Sequence, residues 1–252
     1  MNNGWNHDTS PFHAGELAIQ ERLGLRERMD GLGRRMIRDH LPEQHREFYR
    51  ALPFLVVATL DENQRPWASL IAGQPGFIES PDAGQLVVGT QPLFGSPLSE
   101  HLVPGAAIGV LGMLPENRRR NRLNGRIVAT ADEGFSIAVD QTFGNCPQYI
   151  QARRIEPGPA LATPTAARSL EQGSQLDQRA RDLIGNADTF FIASAHAGAA
   201  GGPQSGADAS HRGGKPGFVK VEGNALTFPD FSGNNHFNTL GNIECSGRAG
   251  LL

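Results

Sequence analysis

The spacing of apolar positions divides the chain into a helical beginning and two stretches of β texture. From Gly15 to Asp39, Leu17, Leu23, Leu25, Met29, Leu32, Met36 and Ile37 recur at spacings of three, four and seven with charges between them. That period predicts amphipathic helix, interrupted near Gly24. A second helix is expected after His40, with Pro42 at its first position and Glu43 near the positive end of its dipole, ending before Pro53. At Pro53 the period changes. Phe54–Leu60 (FLVVATL), Pro66–Ile78, Gln85–Thr90, Ala106–Met113, Arg122–Thr130 and Phe135–Gln141 read as strands, with a short helix over Pro97–Leu102 and a closing helix over Cys146–Arg153. Glu156–Gln175 has no apolar period and reads as a linker. After it come a helix over Leu176–Ile184 stopped by Gly185, strands at Phe190–Ser194, Ala207–Val221 and Ala225–Phe228, a helix near Thr239–Glu244 and a last strand at Ala249–Leu252.

The two β stretches repeat one another. Ala68–Ile78 (ASLIAGQPGFI) is echoed by Ala209–Val219 (ASHRGGKPGFV), and the flanking elements follow in the same order. Phe54 falls on Phe190, Ala68 on Ala209, Leu86 on Leu226 and Gly105 on Gly247, spacings of 136, 141, 140 and 142. The sizeable insertion, AHAGAAGGPQSGAD, replaces a tight turn at a hairpin tip, where added length costs little. The expected organisation is a helical extension over 1–51, a first β-barrel copy over 52–155, a linker over 156–175 and a second copy over 176–252. Leu252 corresponds to about Val110, in mid-strand, so the second copy is expected to be incomplete, a fragment of a longer protein.

Composition narrows the function classes. A net charge of -3 gives no basic field for nucleic acid or an anionic membrane, and no apolar run approaches the roughly 20 residues that span a bilayer. Cys146 and Cys245 lie far apart and outside metal-ligand spacing, so no metal is expected and a reduced, cytoplasmic setting is the simplest reading. The Gly-rich insert has no Lys-Ser or Lys-Thr after it, which makes it a hairpin tip rather than a phosphate loop. Arg118–Arg122 (RRRNR) reads as a solvated turn beside a strand rather than an RNA-binding patch.

Candidate chemistry sits where the copies disagree. Leu70 and Ile71 become His211 and Arg212, and the loop before the short helix, TQPLFGSPLSEHL in the first copy, becomes PDFSGNNHFNTLGNI in the second. Ser232, Gly233, Asn234, Asn235, His236, Asn238 and Thr239 ahead of a helix start suit an anion, through exposed N–H groups and side-chain donors, with Arg212 on a neighbouring strand able to grip phosphate oxygens in a fork. The plainer reading is that Ser, Asn and Thr there cap the helix. His211 and His236 have weaker claims, as surface or packing residues.

In SHRGG and SGNNHFNTLGNI the chain resembles the pyridoxamine 5'-phosphate oxidase-like, FMN-binding split β-barrel family, most strongly over Ala187–Leu252 and more loosely over Leu52–Arg154. The resemblance implies a mainly β fold of tandem split barrels with peripheral helices, binding FMN where two barrels meet. It points to Ser210, Arg212, Gly213, Asn234, Asn235 and Thr239 as FMN contacts. The first copy would be a built-in partner whose own ligand site has lapsed, an intrachain pseudo-dimer, with a homodimer as the other arrangement. The implied function is an FMN-dependent oxidoreductase, or the flavin-bearing part of one, serving a small-molecule or protein redox partner. A non-catalytic flavin-binding or assembly module is the alternative. No residue pair has a spacing diagnostic of a catalytic acid and base, so the catalytic residues are left unassigned.

Overall fold

The apolar run Phe54–Leu60 becomes the central strand of the first β unit because it has neighbours on both sides. In the computed structural model, which describes residues 4–93, 95–156, 170–196 and 202–252, this strand (β1) pairs antiparallel with β2 (Pro66–Ala72) and with β5 (Ala107–Leu114). β6 (Arg119–Ala131), β7 (Gly134–Asn145), β4 (Gln85–Val88) and β3 (Ile78–Glu79) complete a seven-stranded sheet in the order β2-β1-β5-β6-β7-β4-β3. The sheet rolls around one core that includes Leu55, Val57, Ile71, Leu86, Ile108, Val110, Leu123 and Ile137, with β2 and β3 unpaired to each other. A second antiparallel sheet, in the order β12-β8-β9, comprises β8 (Thr189–His196), β9 (Gly206–Gly213) and β12 (Gly250–Leu251); β10 (Lys220–Glu222) and β11 (Ala225–Thr227) form a separate hairpin. The chain is therefore mainly β with antiparallel sheets. No helix among the described residues is long and apolar enough to cross a membrane.

The helices lie around these sheets: α1 (Ala14–Arg22), α2 (Arg26–Met36), α3 (Glu43–Arg50), α4 (Leu98–His101), α5 (Gln178–Asn186) and α6 (Asn238–Ser246). Gly24, with φ of +68°, separates α1 from α2, a conformation that costs glycine little. Pro42 caps α3 from outside rather than opening it, and α5 runs through Gly185 to Asn186. The extension is fastened by a small core of Trp5, Phe12, Met29, Ile37 and Phe143, the last of these on β7. α1 crosses α6 at paired glycines: a Cβ on Gly15 would strike the Gly241 carbonyl, and one on Gly241 would lie 2.6 Å from the Glu16 nitrogen.

Cys146–Arg153 is not a helix. Tyr149 takes a left-handed φ of +65°, its carbonyl presses on Gly213 where no Cβ would fit, and Gln151 Nε2 donates to the Gly214 carbonyl. Tertiary hydrogen bonds along β9 outweigh the local helical pattern. Most of the expected linker and the tip of the Gly-rich insert, residues 157–169 and 197–201, lie outside the described residues.

The two sheets touch reciprocally. Val56, Ala58 and Leu111 of the first pack on Ala193, Ala195, Ala207 and Ala209 of the second. A Cβ on Gly109 of β5 would lie 2.6 Å from the Ala207 carbonyl, and a Cβ on Gly250 of β12 would strike the Pro66 carbonyl. Both partners of the second contact are those of the first displaced by 141 residues, with the strands exchanged. The turns also match: the Phe77 and Phe218 amides donate to Gln74 and Lys215 at 3.0 Å, and Gly76 and Gly217 have φ of +99° and +86°. A hydroxyl below a helix pairs in both places, Thr59 with His101 at 2.9 Å and Ser194 with Asn242 at 3.0 Å. The sequence spacing of 136 for the first strand is one residue out. Ala68 sits opposite Ala58, but Ala209 sits opposite Ala193, so Ala58 corresponds to Ala193. FLVVATL is apolar on both faces, and a run of that kind has no alternation to fix its register.

Burial in this framework holds several histidines neutral. Desolvation brings His236, edge-on to Phe12 and Phe143, down to about 4, and brings His13 down to about 3, with the neighbouring His196 adding to the effect. The unfolded chain binds those protons near the ordinary 6.5 and the folded chain does not. The contribution of these histidines to stability is therefore complete above pH 6.5 and falls as the pH drops toward 4. His236→Gln should flatten that fall by about 1.4 kcal/mol per pH unit in urea unfolding at pH 5 to 6; an unchanged slope would contradict the buried neutral imidazole. Gly109→Ala should lower stability by about 1–3 kcal/mol, whereas Gly31→Ala on α2, with nothing within 4 Å of a new Cβ, should raise it by about 0.5–1 kcal/mol. Equal urea midpoints for Gly109→Ala and the parent would contradict the tight approach of the sheets.

Candidate functional site

The alternation of β6 sends Leu123 into the barrel core and turns Arg120 and Arg122 outward, toward β9, the outer strand of the second sheet. Both arginines are 9% exposed. The segment read as a solvated turn is thus the start of a strand that carries two buried cations. Arg122 Nη1 donates to both oxygens of Asp208, at 3.1 Å each, and to Asn238 Oδ1 at 3.1 Å. Asp208 also accepts from Ser210 Oγ at 3.0 Å, and Ser210 Oγ pairs with Thr239 Oγ1 at 2.7 Å. Asn238 Nδ2 donates to Glu16 Oε1 at 2.6 Å, and Glu16 Oε2 accepts from the His13 amide in the capping box of α1. Burial, with the Asp208 charge adding to it, pushes the Glu16 carboxyl well above its usual range, against the pull of these donors. One buried network therefore joins β6, β9, α6 and α1.

Beside it lies a cleft with two lobes. The inner lobe, about 80 Å³, is lined by Arg120, Arg122, Asn145, Cys146, Tyr149, His211, Arg212, Gly213 and Asn234 among others. The helix lobe, about 250 Å³, is lined by Arg122, Arg212, Asp230, Ser232–Asn235 and Phe237–Leu240. Outside them Tyr149, Phe218, Phe231 and Pro216 form an apolar ledge, where the Tyr149 and Phe231 rings stack with centroids 5.0 Å apart. Arg212 Nη1 pairs with Asp230 at 2.7 Å, and burial lowers the Arg212 guanidinium from its usual range. Burial, and next the Arg122 charge, bring Arg120 down to about 10. His211, desolvated and ringed by Arg120, Arg212 and Arg122, is brought down to about 3 and is neutral. Three guanidinium groups thus line the two lobes with two carboxylates, Asp208 and Asp230, as their ion-pair partners among the described residues.

The six residues expected from the sequence fall into three groups. Arg212 and Asn234 line both lobes, and each has a buried polar atom, Nε and Nδ2 respectively, without a partner among the described residues. Asn235, with φ of +59°, and Thr239 line the helix lobe, but the Thr239 hydroxyl is committed to Ser210. Ser210 lies behind the cleft in the network, and Gly213 lines the inner lobe, where its missing side chain admits the Tyr149 carbonyl. The capping reading of the polar loop is not realised: the residue before α6 is Phe237, in a left-handed conformation, and no side chain caps the helix. The first-turn amides of α6 are left to whatever enters the helix lobe.

Sequence reasoning missed Arg120, Arg122, Asp208, Asn145 and Glu16. A signal for the arginines was present, since they directly precede the apolar-rich strand run from Leu123, but the partner that makes burial affordable lies at Asp208, far along the chain. His13, His196 and Cys245 form a further group with ligating atoms within 4.8 Å of one another. The two imidazoles stack at 4.3 Å with planes 18° apart, so their in-plane lone pairs run side by side instead of converging. His13 Nδ1 accepts from the Gly15 amide, which leaves the ring proton on Nε2. This group reads as packing of α1 on α6 and β8.

No family model matches the chain, and no curated protein matches it. Among solved structures, tagged HupZ of Group A Streptococcus overlaps 41% of this chain and 93% of its own, at 13% identity and a TM-score of 0.32. A variant of the same protein overlaps 41% of this chain and 98% of its own, at 12% identity and the same TM-score. Likeness at that level carries no functional argument, so the reading of the cleft rests on this chain's own residues.

Proposed function

We propose that the chain holds two copies of one split barrel closed on each other as an internal pseudo-dimer, and that the cleft between them binds FMN. The reciprocal Gly109–Ala207 and Gly250–Pro66 contacts and the matched turns support the first part. The observation that carries the second is the uncapped start of α6 facing buried Arg122 and half-buried Arg212, with Arg212 Nε, Arg122 Nε and Asn234 Nδ2 unpartnered among the described residues. Buried polar groups are nearly always satisfied, so donors left over at one place mark the seat of an acceptor-rich ligand. A phosphate dianion fits that donor set in charge and hydrogen bonding.

Arg122, Arg212, Asn234, Asn235 and the first-turn amides of α6 would hold the phosphate, while the Tyr149, Phe218 and Phe231 ledge offers apolar surface for a planar ring. FMN would supply hydride or electron transfer, making the protein an oxidoreductase or the flavin-bearing part of one. The protein's share is to bind, orient and partly desolvate the cofactor. A non-catalytic flavin-binding module is the second reading, favoured by His211: at about 3 it exchanges no proton near neutral pH.

Purified protein mixed with FMN and desalted should keep the flavin absorption bands. Arg212→Gln should weaken FMN binding about 10- to 100-fold, the worth of one charged hydrogen bond. Loss of the bands from the parent protein would overturn the assignment. Anaerobic NADH or NADPH should bleach the bound flavin and an added acceptor restore it; a flavin that binds but does not bleach with either donor would favour the non-catalytic module.

A further inference from the structure

The inner lobe has a donor set of its own that a single phosphate at the start of α6 does not use. Arg120 and His211 line the inner lobe and not the helix lobe, while Phe237, Asn238, Thr239 and Leu240 line the helix lobe and not the inner one. Arg122 and Arg212 stand between, lining both. Arg120 is buried, and its partners are the Cys146 and Gln148 carbonyls, the Cys146 side chain and His211 Nδ1 rather than any carboxylate. A buried cation without a counter-charge is costly, and an anionic ligand beside it removes that cost.

His211 reinforces the same polarity. A guanidinium only donates, so its 3.2 Å contact makes His211 Nδ1 the acceptor and puts the ring proton on Nε2. That atom is buried without a partner among the described residues, in a ring that is 5% exposed. Asn145 Oδ1, also unpartnered among them, adds one acceptor at the lobe wall. At about 80 Å³ the lobe suits an anionic head group rather than a ring.

We propose that the inner lobe is a second anion subsite, separate from the cofactor phosphate, that seats the phosphate or carboxylate of a small acidic co-substrate on Arg120 and the Nε2–H of His211. Asn145 accepts a hydrogen bond from a hydroxyl, amine or acid proton next to that group. The body of the molecule then lies toward the Tyr149–Phe231 ledge. The assignment of the helix lobe to the cofactor rests on the FMN reading; the existence of two anion sites does not.

The test is equilibrium dialysis of the whole chain against labelled inorganic phosphate at low ionic strength. Two phosphates per chain are expected without FMN and one on the FMN-saturated chain. Arg120→Met should reduce the first count to one and the second to none. Asn145→Asp, which places a negative charge at the lobe wall without removing a buried cation, should weaken the inner-lobe phosphate at least 10-fold. Displacement of that phosphate by acetate would assign the site to carboxylates; resistance to acetate would assign it to phosphates. Two phosphates on a chain that retains no FMN would uphold the subsite and sink the FMN reading. One phosphate without FMN and none with it, no phosphate in either state, or two sites that neither substitution alters would overturn the subsite.

Discussion

The ion pair between Arg122 and Asp208 is the constraint on which the rest of the arrangement depends. It joins β6 of the first sheet to β9 of the second with both groups nearly out of water, at 10% and 2% side-chain exposure. A pair so placed repays its desolvation only when the remaining lone pairs and N–H groups are also satisfied. Asn238 of α6 and Ser210 of β9 supply much of that completion, held in turn by Glu16 of α1 and Thr239 of α6, with Arg122 Nε left unpartnered among the described residues. The helical extension is therefore the back wall of the cleft rather than an appendage. Its Gly15–Gly241 crossing sets how close Glu16 comes to Asn238.

The same pair separates the two kinds of charge in the cleft. Asp208 neutralises Arg122 from behind and Asp230 pairs with Arg212 at the rim, while Arg120 is left among carbonyls and a neutral histidine. The positive excess thus sits at the inner end, and the uncapped helix start sits at the other. In the first sheet the positions matching His211 and Arg212 are Leu70 and Ile71, which pack against the second sheet and into the barrel core. An apolar surface in one half and a polar one in the other place the arginine-lined cleft beside β9 rather than beside β2.

Much of this architecture was legible in the sequence because it is local. The PGF turns, the strand runs and the break at Gly24 depend on residues within a few positions of one another. What could not be read depends on distant partners. Within RRRNR, Arg120 and Arg122 became buried strand residues because Asp208 and the Cys146 and Gln148 carbonyls meet them. CPQYIQAR lost its helix to contacts with β9, and FLVVATL slipped by one residue because both its faces are apolar. Comparing the two halves pointed to Arg212, Asn234 and Asn235, and these line the cleft. Ser210 and Gly213 were drawn in by the family resemblance, and they serve the cleft through its supporting contacts.

The most direct test of the central claim is a double-mutant cycle on Arg122→Met and Asp208→Leu, read as the free energy of urea unfolding. A buried pair that joins the sheets predicts a loss of about 3–5 kcal/mol for either single change, with the double change costing no more than one of them. Singles below about 1 kcal/mol, or costs that simply add in the double variant, would contradict the account.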